Sequence, residues 1–335
     1  MRLTISTFTL RGTKLTMSSI ASNDSRTAPI PVADGWNRLP PGYAIPEQAP
    51  SRADAQEYCR RLARSHYENF SVATWFLPER LRQHFFNVYA YCRISDDLGD
   101  EVCDPNASLE MLDQWQAELD ACYAGTPRHP VFVALEETVR KFDIPKQPFD
   151  DLLKAFRQDQ TITRYETFDD LLGYCRYSAN PVGHLVLYLC GYRDPDRQAL
   201  SDFTCTALQL ANFWQDVSDD YAKGRIYLPR EDLRRNQVGE EDISAARNTP
   251  EFCAMMRFEV ERARQWFQRG LPLIKQVDRE LAVDIELFSR SGQEILNAIE
   301  RQGHAVLGRR PAISKTRKLA LVARAALGKL LGSRV

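Results

Sequence analysis

Nothing in this 335-residue sequence is long and apolar enough to cross a bilayer. The longest such run, "HLVLYLCGY" (184–192), falls well short of the roughly 20 residues that a helical span needs. Charge of one sign is not in excess either: 44 basic and 45 acidic residues leave a net charge of −1. No bulk field therefore draws the chain to nucleic acid, and no basic run with interleaved aromatics is present. The eight cysteines form no CxxC pair and show no zinc-like spacing. They read as reduced thiols of a soluble, cytosolic protein. No Asn-Gly or Asp-Gly turn separates alternating apolar runs, so hairpin signals are missing. A GxGxxG nucleotide loop and any short-period repeat are also absent, which disfavours a dinucleotide fold and a solenoid.

What is present is helical patterning over a composition that is 44% hydrophobic, enough to bury a sizeable core. Residues 1–50 stand apart. They are rich in Ser, Thr and Pro, lack periodicity, and read as a disordered or irregular N-terminal segment. Their first acidic residue, Asp24, follows Arg2, Arg11 and Lys14, a bias that faintly resembles a targeting peptide without its apolar core. From Ser51 onward the spacing predicts helices almost throughout. One opens at the Ser51 cap, and one starts after Pro78 with Leu81, Phe85, Val88, Tyr89 and Cys92 on one stripe. Another begins at Ser108 and ends at Gly125. Further helices fit 129–142, 147–159, 167–190, 196–221, 250–270, 279–303 and 312–331. The expectation is an all-α, single-domain bundle over 51–310, followed by a basic amphipathic segment at 311–335.

The apolar helix that contains "FFNVYA" ends in "YCRISDDLGDE" (91–101), which sets Asp96, Asp97, Asp100 and Glu101 within six positions. Like charges so close repel, and burial makes them costlier still, so positive charge has to lie nearby. A second such stretch, "QLANFWQDVSDD" (209–220), spaces Gln209, Asn212, Asp216 and Asp220 by three, four and four. That spacing lines them along one helical face, as it does Asp96 and Asp100. A single DDxxD is more often a solvated acidic face. Two of them on apolar helices favour a site between the helices. Oxygen-only ligands suit Mg²⁺, which completes its shell with water and phosphate oxygens. Arg93, Lys223 and Arg225 flank the motifs as candidate diphosphate clamps, with ordinary salt bridges to the adjacent carboxylates as the alternative.

On "VYAYCRISDDLGDE", "GYCRYSANPVGHLV" (173–186) and "LQLANFWQDVSDDYAKGRIYLP" (208–229), the sequence resembles the squalene/phytoene synthase family over roughly residues 52–325. "HYENFSVATWFLP" (66–78) is most similar to the hydroxysqualene synthases of bacterial hopanoid pathways. Gln215, where many relatives carry Arg, and the "YSANPVG" segment depart from the condensing members.

The resemblance implies an isoprenoid-synthase-type helical bundle with a central cavity. It implies that Asp96, Asp97 and Asp100 hold Mg²⁺ from one helix, supported by Glu101. Asn212, Asp216 and Asp220 would hold it from the other, with Asp219 nearby. Arg93 and Arg225 would bind the diphosphate, and Gln209 would orient its neighbours. His66, Tyr89 and Tyr174 would line the reacting end of the cavity, while Val182 and Gly183 mark a helix bend that admits a polyprenyl chain. The implied reaction is Mg²⁺-dependent conversion of presqualene diphosphate, a C30 prenyl diphosphate, to hydroxysqualene. Tyr67, Glu68 and Asn69 are the candidates for placing the quenching water. The competing readings are a presqualene diphosphate or phytoene synthase, and a non-catalytic helical protein that binds metal or a partner. The segment "KTRKLALVARAALGKLLGSRV" is expected either to touch a membrane surface or to pack on the bundle. Docking with other hopanoid-pathway enzymes is a further implied partnership.

Overall fold

The computed structural model describes residues 43–65, 78–102 and 104–331. His66, Tyr67, Glu68 and Asn69 lie outside the described residues, as does the segment 1–42. Fourteen α-helices are present among the described residues, with one isolated bridge (Arg164 to Ile226) in place of a sheet. No described helix is long and apolar enough to cross a membrane.

The first half contains α1 (Arg52–Ser65), α2 (Glu79–Asp100), α3 (Pro105–Ala124), α4 (Pro130–Phe142) and α5 (Gln147–Gln158). Their apolar faces meet in one core around Phe85, Tyr91, Leu98, Trp115, Phe132 and Phe149. Helix α2 runs through its middle: from His84 to Gly99 only Arg93 is partly exposed. A helix buried all round is a central element, and its acidic end is carried inward with it. Ser51 caps α1 as expected, its hydroxyl accepting from the Asp54 amide at 3.2 Å. Helix α3 begins three residues earlier than Ser108. Asp104 caps it and Pro105 occupies its first turn, a stronger start signal than an isolated serine. Ser108 is instead buried, donating to the Leu98 carbonyl at 2.7 Å.

The second half contains α6 (Phe168–Ser178), α7 (Asn180–Leu189), α8 (Pro195–Gln215) and α9 (Val217–Ala222), followed by α10 (Arg230–Arg235) and α11 (Glu240–Ser244). Helices α12 (Pro250–Gly270), α13 (Arg279–Arg301) and α14 (Lys315–Leu331) complete it. A second core around Tyr174, Trp214, Tyr227, Phe252, Phe267 and Leu296 joins α8 to α12 and α13.

Two expected long helices are each divided. The 167–190 helix breaks at Ala179 (φ −118°, ψ −48°), where a new helix starts with Pro181 in its first turn, because Pro181 has no amide to continue the earlier hydrogen-bond ladder. The bend therefore lies at Ala179, ahead of Val182 and Gly183. The 196–221 helix breaks at Asp216 (φ −106°, ψ 15°), where the Arg310 side chain binds Asp216 and the Pro311 carbonyl accepts from Gln215.

Gly183 serves packing. A Cβ there would meet Ser201 Oγ at 2.2 Å and Cys205 Sγ at 2.6 Å, so α7 and α8 approach closely only without one. Overpacking of this kind costs about 1–3 kcal/mol. Gly183→Ala should therefore lower the thermal melting midpoint, and an unchanged midpoint would show that the two helices separate freely.

Candidate active site

The two acidic motifs meet where the cores adjoin. Helix α2 is fixed in register by buried hydrogen bonds: Tyr91 Oη donates to the Phe149 carbonyl at 2.9 Å, and Trp115 Nε1 donates to Ser95 Oγ at 2.9 Å. At its end Gln160 Nε2 donates to the Gly99 carbonyl at 2.7 Å. A Cβ on Gly99 would sit 3.0 Å from Phe156, so α2 and α5 are in close contact there. These ties aim Asp100 across the junction. On the far side, the segment after α9 is stitched to residues 163–166 by Ile226 N to Thr163 O at 3.0 Å and Arg230 N to Tyr165 O at 2.9 Å. That stitching turns Arg225 and Tyr227 inward.

Between the motifs lies a cavity of about 320 Å³. Asp100 lines it from α2; Gln209, Asn212, Asp216, Asp219 and Asp220 line it from α8 and α9; Lys223, Arg225, Phe213 and Tyr227 complete the wall. The second ladder thus keeps one face despite the break, because the Asp216 amide still bonds to the Asn212 carbonyl (2.9 Å) and the Asp220 amide to the Asp216 carbonyl (2.8 Å). Arg225 Nη1 donates to Asp100 Oδ1 at 2.7 Å, and Lys223 Nζ lies 3.6 Å from Asp100 and 3.9 Å from Glu101. The positive charge demanded by the first motif therefore comes from the residues that follow the second.

Asp96 and Asp97 do not line this cavity. Asp97 is held by Arg93 and accepts a hydrogen bond from Tyr43, while Arg93 also lies 3.8 Å from Asp96. Arg93 is thus engaged with its own helix. Tyr89 is buried in the first core, Tyr174 in the second, and Val182 and Gly183 stand on α7.

Arg310, beyond α13, is a participant that the sequence reading missed. Its guanidinium binds Asp216, lies 3.7 Å from Asp219, and donates to Gln215 Oε1 at 3.0 Å. Gln215 Nε2 in turn donates to the Pro311 carbonyl at 2.6 Å, and the Gly308 amide donates to Ser218 Oγ at 3.1 Å. The segment 308–311 is therefore strapped across the second motif. The basic pair in "GRRP" (308–311), a short loop beyond the end of a long helix at Arg301, was its only sequence signal.

Burial, and then the like charges of Asp100 and Asp97, push Asp96 up to about 7. Burial, and then Asp216 and Asp100, push Asp220 up to about 8. Arg225, although burial opposes its charge, is held above its usual range by Asp100. The cavity thus favours added positive charge, and its all-oxygen donors (Asp100, Asn212, Asp216, Asp220) fit a hard divalent cation. As they stand, no three His, Cys, Asp or Glu side chains among the described residues converge closely enough to hold one. Arg225, Lys223 and Arg310 neutralise the carboxylates instead.

A model of the squalene/phytoene synthase family matches residues 63–317. Among solved structures, the chain is similar to the squalene synthase HpnC from Alicyclobacillus acidocaldarius, with 46% identity and a TM-score of 0.73 over 76% of this chain and 95% of that one. A dehydrosqualene synthase solved with a ligand shares 26% identity at a TM-score of 0.75, over 84% of this chain and 98% of that one. The 15-cis-phytoene synthase of Synechococcus elongatus is 31% identical over 289 residues, covering 81% of this chain and 93% of that protein. The phytoene synthase of Arthrospira platensis is 30% identical over 284 residues, covering 80% and 91%.

The electrostatics carry a stability consequence. A folded pKa of about 8 for Asp220 lies above the ~3.9 of an unfolded aspartate. The metal-free fold is thus progressively destabilised as pH climbs from about 4 to about 8. In chelator at pH 8, Asp220→Asn should melt several degrees above wild type, with the gap closing towards pH 4. Added Mg²⁺ should raise the wild-type midpoint and leave the variant's unmoved. Equal midpoints at pH 8 would remove the buried-charge account.

Proposed function

Because the chain belongs to the squalene/phytoene synthase family, we propose that it converts presqualene diphosphate to hydroxysqualene. The reading rests on one observation above all. Asp100, Asn212, Asp216 and Asp220, from motifs more than a hundred residues apart, share a cavity with Lys223 and Arg225. Such a cavity suits a polyanion bound through cations. The 46% identity to a squalene synthase HpnC favours the C30 reaction.

In this reading Asp100, Asn212, Asp216 and Asp220 would hold Mg²⁺, which would supply Lewis-acid stabilisation of the charge on the leaving diphosphate. Asp96 and Asp97 back the first motif from inside α2. Lys223, Arg225 and Arg310 exchange their carboxylate partners for diphosphate oxygens, and Arg93 and Gln209 orient the surrounding side chains. Phe213 and Tyr227, stacked with centroids 3.9 Å apart on the cavity wall, present aromatic faces to a carbocation formed beside them. His66, Tyr67 and Asn69 stay as the residues assigned to the reacting end and to the quenching water.

The second reading is condensation of two prenyl diphosphates, the activity named for the phytoene synthases at 30% and 31% identity. Purified protein given presqualene diphosphate and Mg²⁺ should yield hydroxysqualene by gas chromatography, and little product from farnesyl diphosphate alone. Efficient formation of a condensed diphosphate from farnesyl or geranylgeranyl diphosphate, with no turnover of presqualene diphosphate, would replace the first reading by the second.

The lipidic substrate also bears on location. We place the protein in the cytoplasm against the inner membrane face, with α14 as the contact. That helix has no acidic residue, and Leu319 on it is 55% exposed. Arg317 is paired with Glu294 at 3.0 Å, so α14 also leans on α13. The protein should float with vesicles containing anionic lipid, and a chain ending at Ala312 should not. Equal flotation of both would assign α14 to packing alone.

A further inference from the structure

Lys223 and Arg225 stand on either side of Gly224, and both line the cavity while Gly224 does not. The three residues form the turn that ends α9. Its amides are satisfied from that helix: Lys223 N and Arg225 N donate to the Asp220 carbonyl at 3.0 and 2.9 Å, and Gly224 N donates to the Tyr221 carbonyl at 2.9 Å. Gly224 has a left-handed conformation (φ 82°), which glycine adopts without strain. Glycine also loses the most conformational freedom on folding, so a turn built on it gains from an outside hold. That hold is on the Gly224 carbonyl. Arg164 Nη1 donates to it at 2.7 Å and to the Thr163 carbonyl at 2.9 Å. The same guanidinium grips Glu240, the first residue of α11: Nε donates to Oε1 and Nη2 to Oε2, each at 3.0 Å. Arg164 itself does not line the cavity and belongs to neither acidic motif.

We infer that Arg164, held by Glu240, is a positioning residue for the diphosphate clamp formed by Lys223 and Arg225. The inference rests on the reading that these two cations take diphosphate oxygens, and it holds for either reaction considered above. It adds what keeps the clamp aimed once the two side chains release Asp100. Without that partner, their direction depends on the backbone of the turn, and Arg164 fixes that backbone from outside the cavity.

The position calls for a fork. A guanidinium presents its N–H groups in one rigid plane, so a single side chain reaches two carbonyls and a carboxylate at once. The Arg164 hydrogen bonds hold the Glu240 carboxyl below its usual range, so the pair is charged at neutral pH. Arg230 lies 3.8 Å from the same carboxylate, and Arg230 and Arg234 both bind Glu166. Residues 163–166, α10 and α11 thus form one network around the turn. The Arg164–Glu240 pair is partly exposed, and such pairs add little to global stability. Its geometry serves the turn it grips.

The test measures binding of inorganic pyrophosphate in the presence of Mg²⁺ by isothermal titration calorimetry, with melting curves alongside. Arg164→Lys keeps the charge and loses the fork. It should weaken pyrophosphate binding about tenfold while the melting midpoint stays close to that of wild type. Glu240→Ala removes a negative charge, which by charge alone would tighten the hold on an anion. It should weaken binding instead, by a similar factor. Lys223→Ala should cost less in the Arg164→Lys background than in wild type, because the lysine is already misplaced there. Unchanged affinity in Arg164→Lys, tighter binding in Glu240→Ala, or additive losses in the double variant would each overturn the inference. If Lys223→Ala binds pyrophosphate as wild type does, the clamp reading falls and takes the inference with it, a result distinct from unchanged Arg164 and Glu240 variants. Circular dichroism identifies a variant that does not fold. If that variant is Arg164→Lys, the direction of the change in Glu240→Ala decides on its own.

Discussion

The contact between Arg225 and Asp100 is the constraint on which the rest of the site depends. Asp100 is carried inward at the end of a helix that is buried from His84 to Gly99 except at Arg93, and a carboxylate so placed is stable only with a cation beside it. The cation comes from 125 positions away, on a segment whose own path is set by the loop at 163–166. Bringing the two together joins the two cores and opens the cavity at their seam. Removing Asp100 would strip buried Arg225 of its nearest carboxylate, and removing Arg225 would leave Asp100 with the more distant Lys223.

The same physics explains why the cavity carries so many paired charges. Four acidic side chains (Asp100, Asp216, Asp219, Asp220) share its walls, and burial together with mutual repulsion drives Asp220 towards its neutral form. Lys223, Arg225 and Arg310 offset that repulsion with side chains long enough to change partner. A site arranged in this way is held ready for a cation-bound polyanion and is less stable without one. The strap at 308–311 adds to this readiness, because Gln215 grips both Arg310 and the Pro311 carbonyl. Gln215 is therefore the anchor of an arginine supplied from elsewhere in the chain.

The aromatic box behind the cavity has a different task. Phe213 and Tyr227 belong to the wall and to the second core at once, so the reacting space inherits the rigidity of that core. Tyr174 and Asp159 form a buried polar pair within that rigid surround.

Much of this protein was legible in the chain by itself. Helical periodicity, caps and prolines act over a few residues, which is why α4, α5, α12 and α13 fall where the spacing puts them. The two acidic ladders were legible for the same reason, since i, i+4 spacing sets a face whatever surrounds the helix. Asp97 and Arg93 show where that reasoning stops: they satisfy the motif, yet the fold pairs them with each other and with Tyr43, away from the cavity walls. Arg310 and Asp159 carry no local pattern at all. Their partners lie 94 and 15 positions away, and only the packing of α13 on α8 and of α5 on α6 brings each pair within reach. Local sequence determines which side chains share a face. The meeting of two faces depends on how apolar surfaces from the whole chain exclude water together.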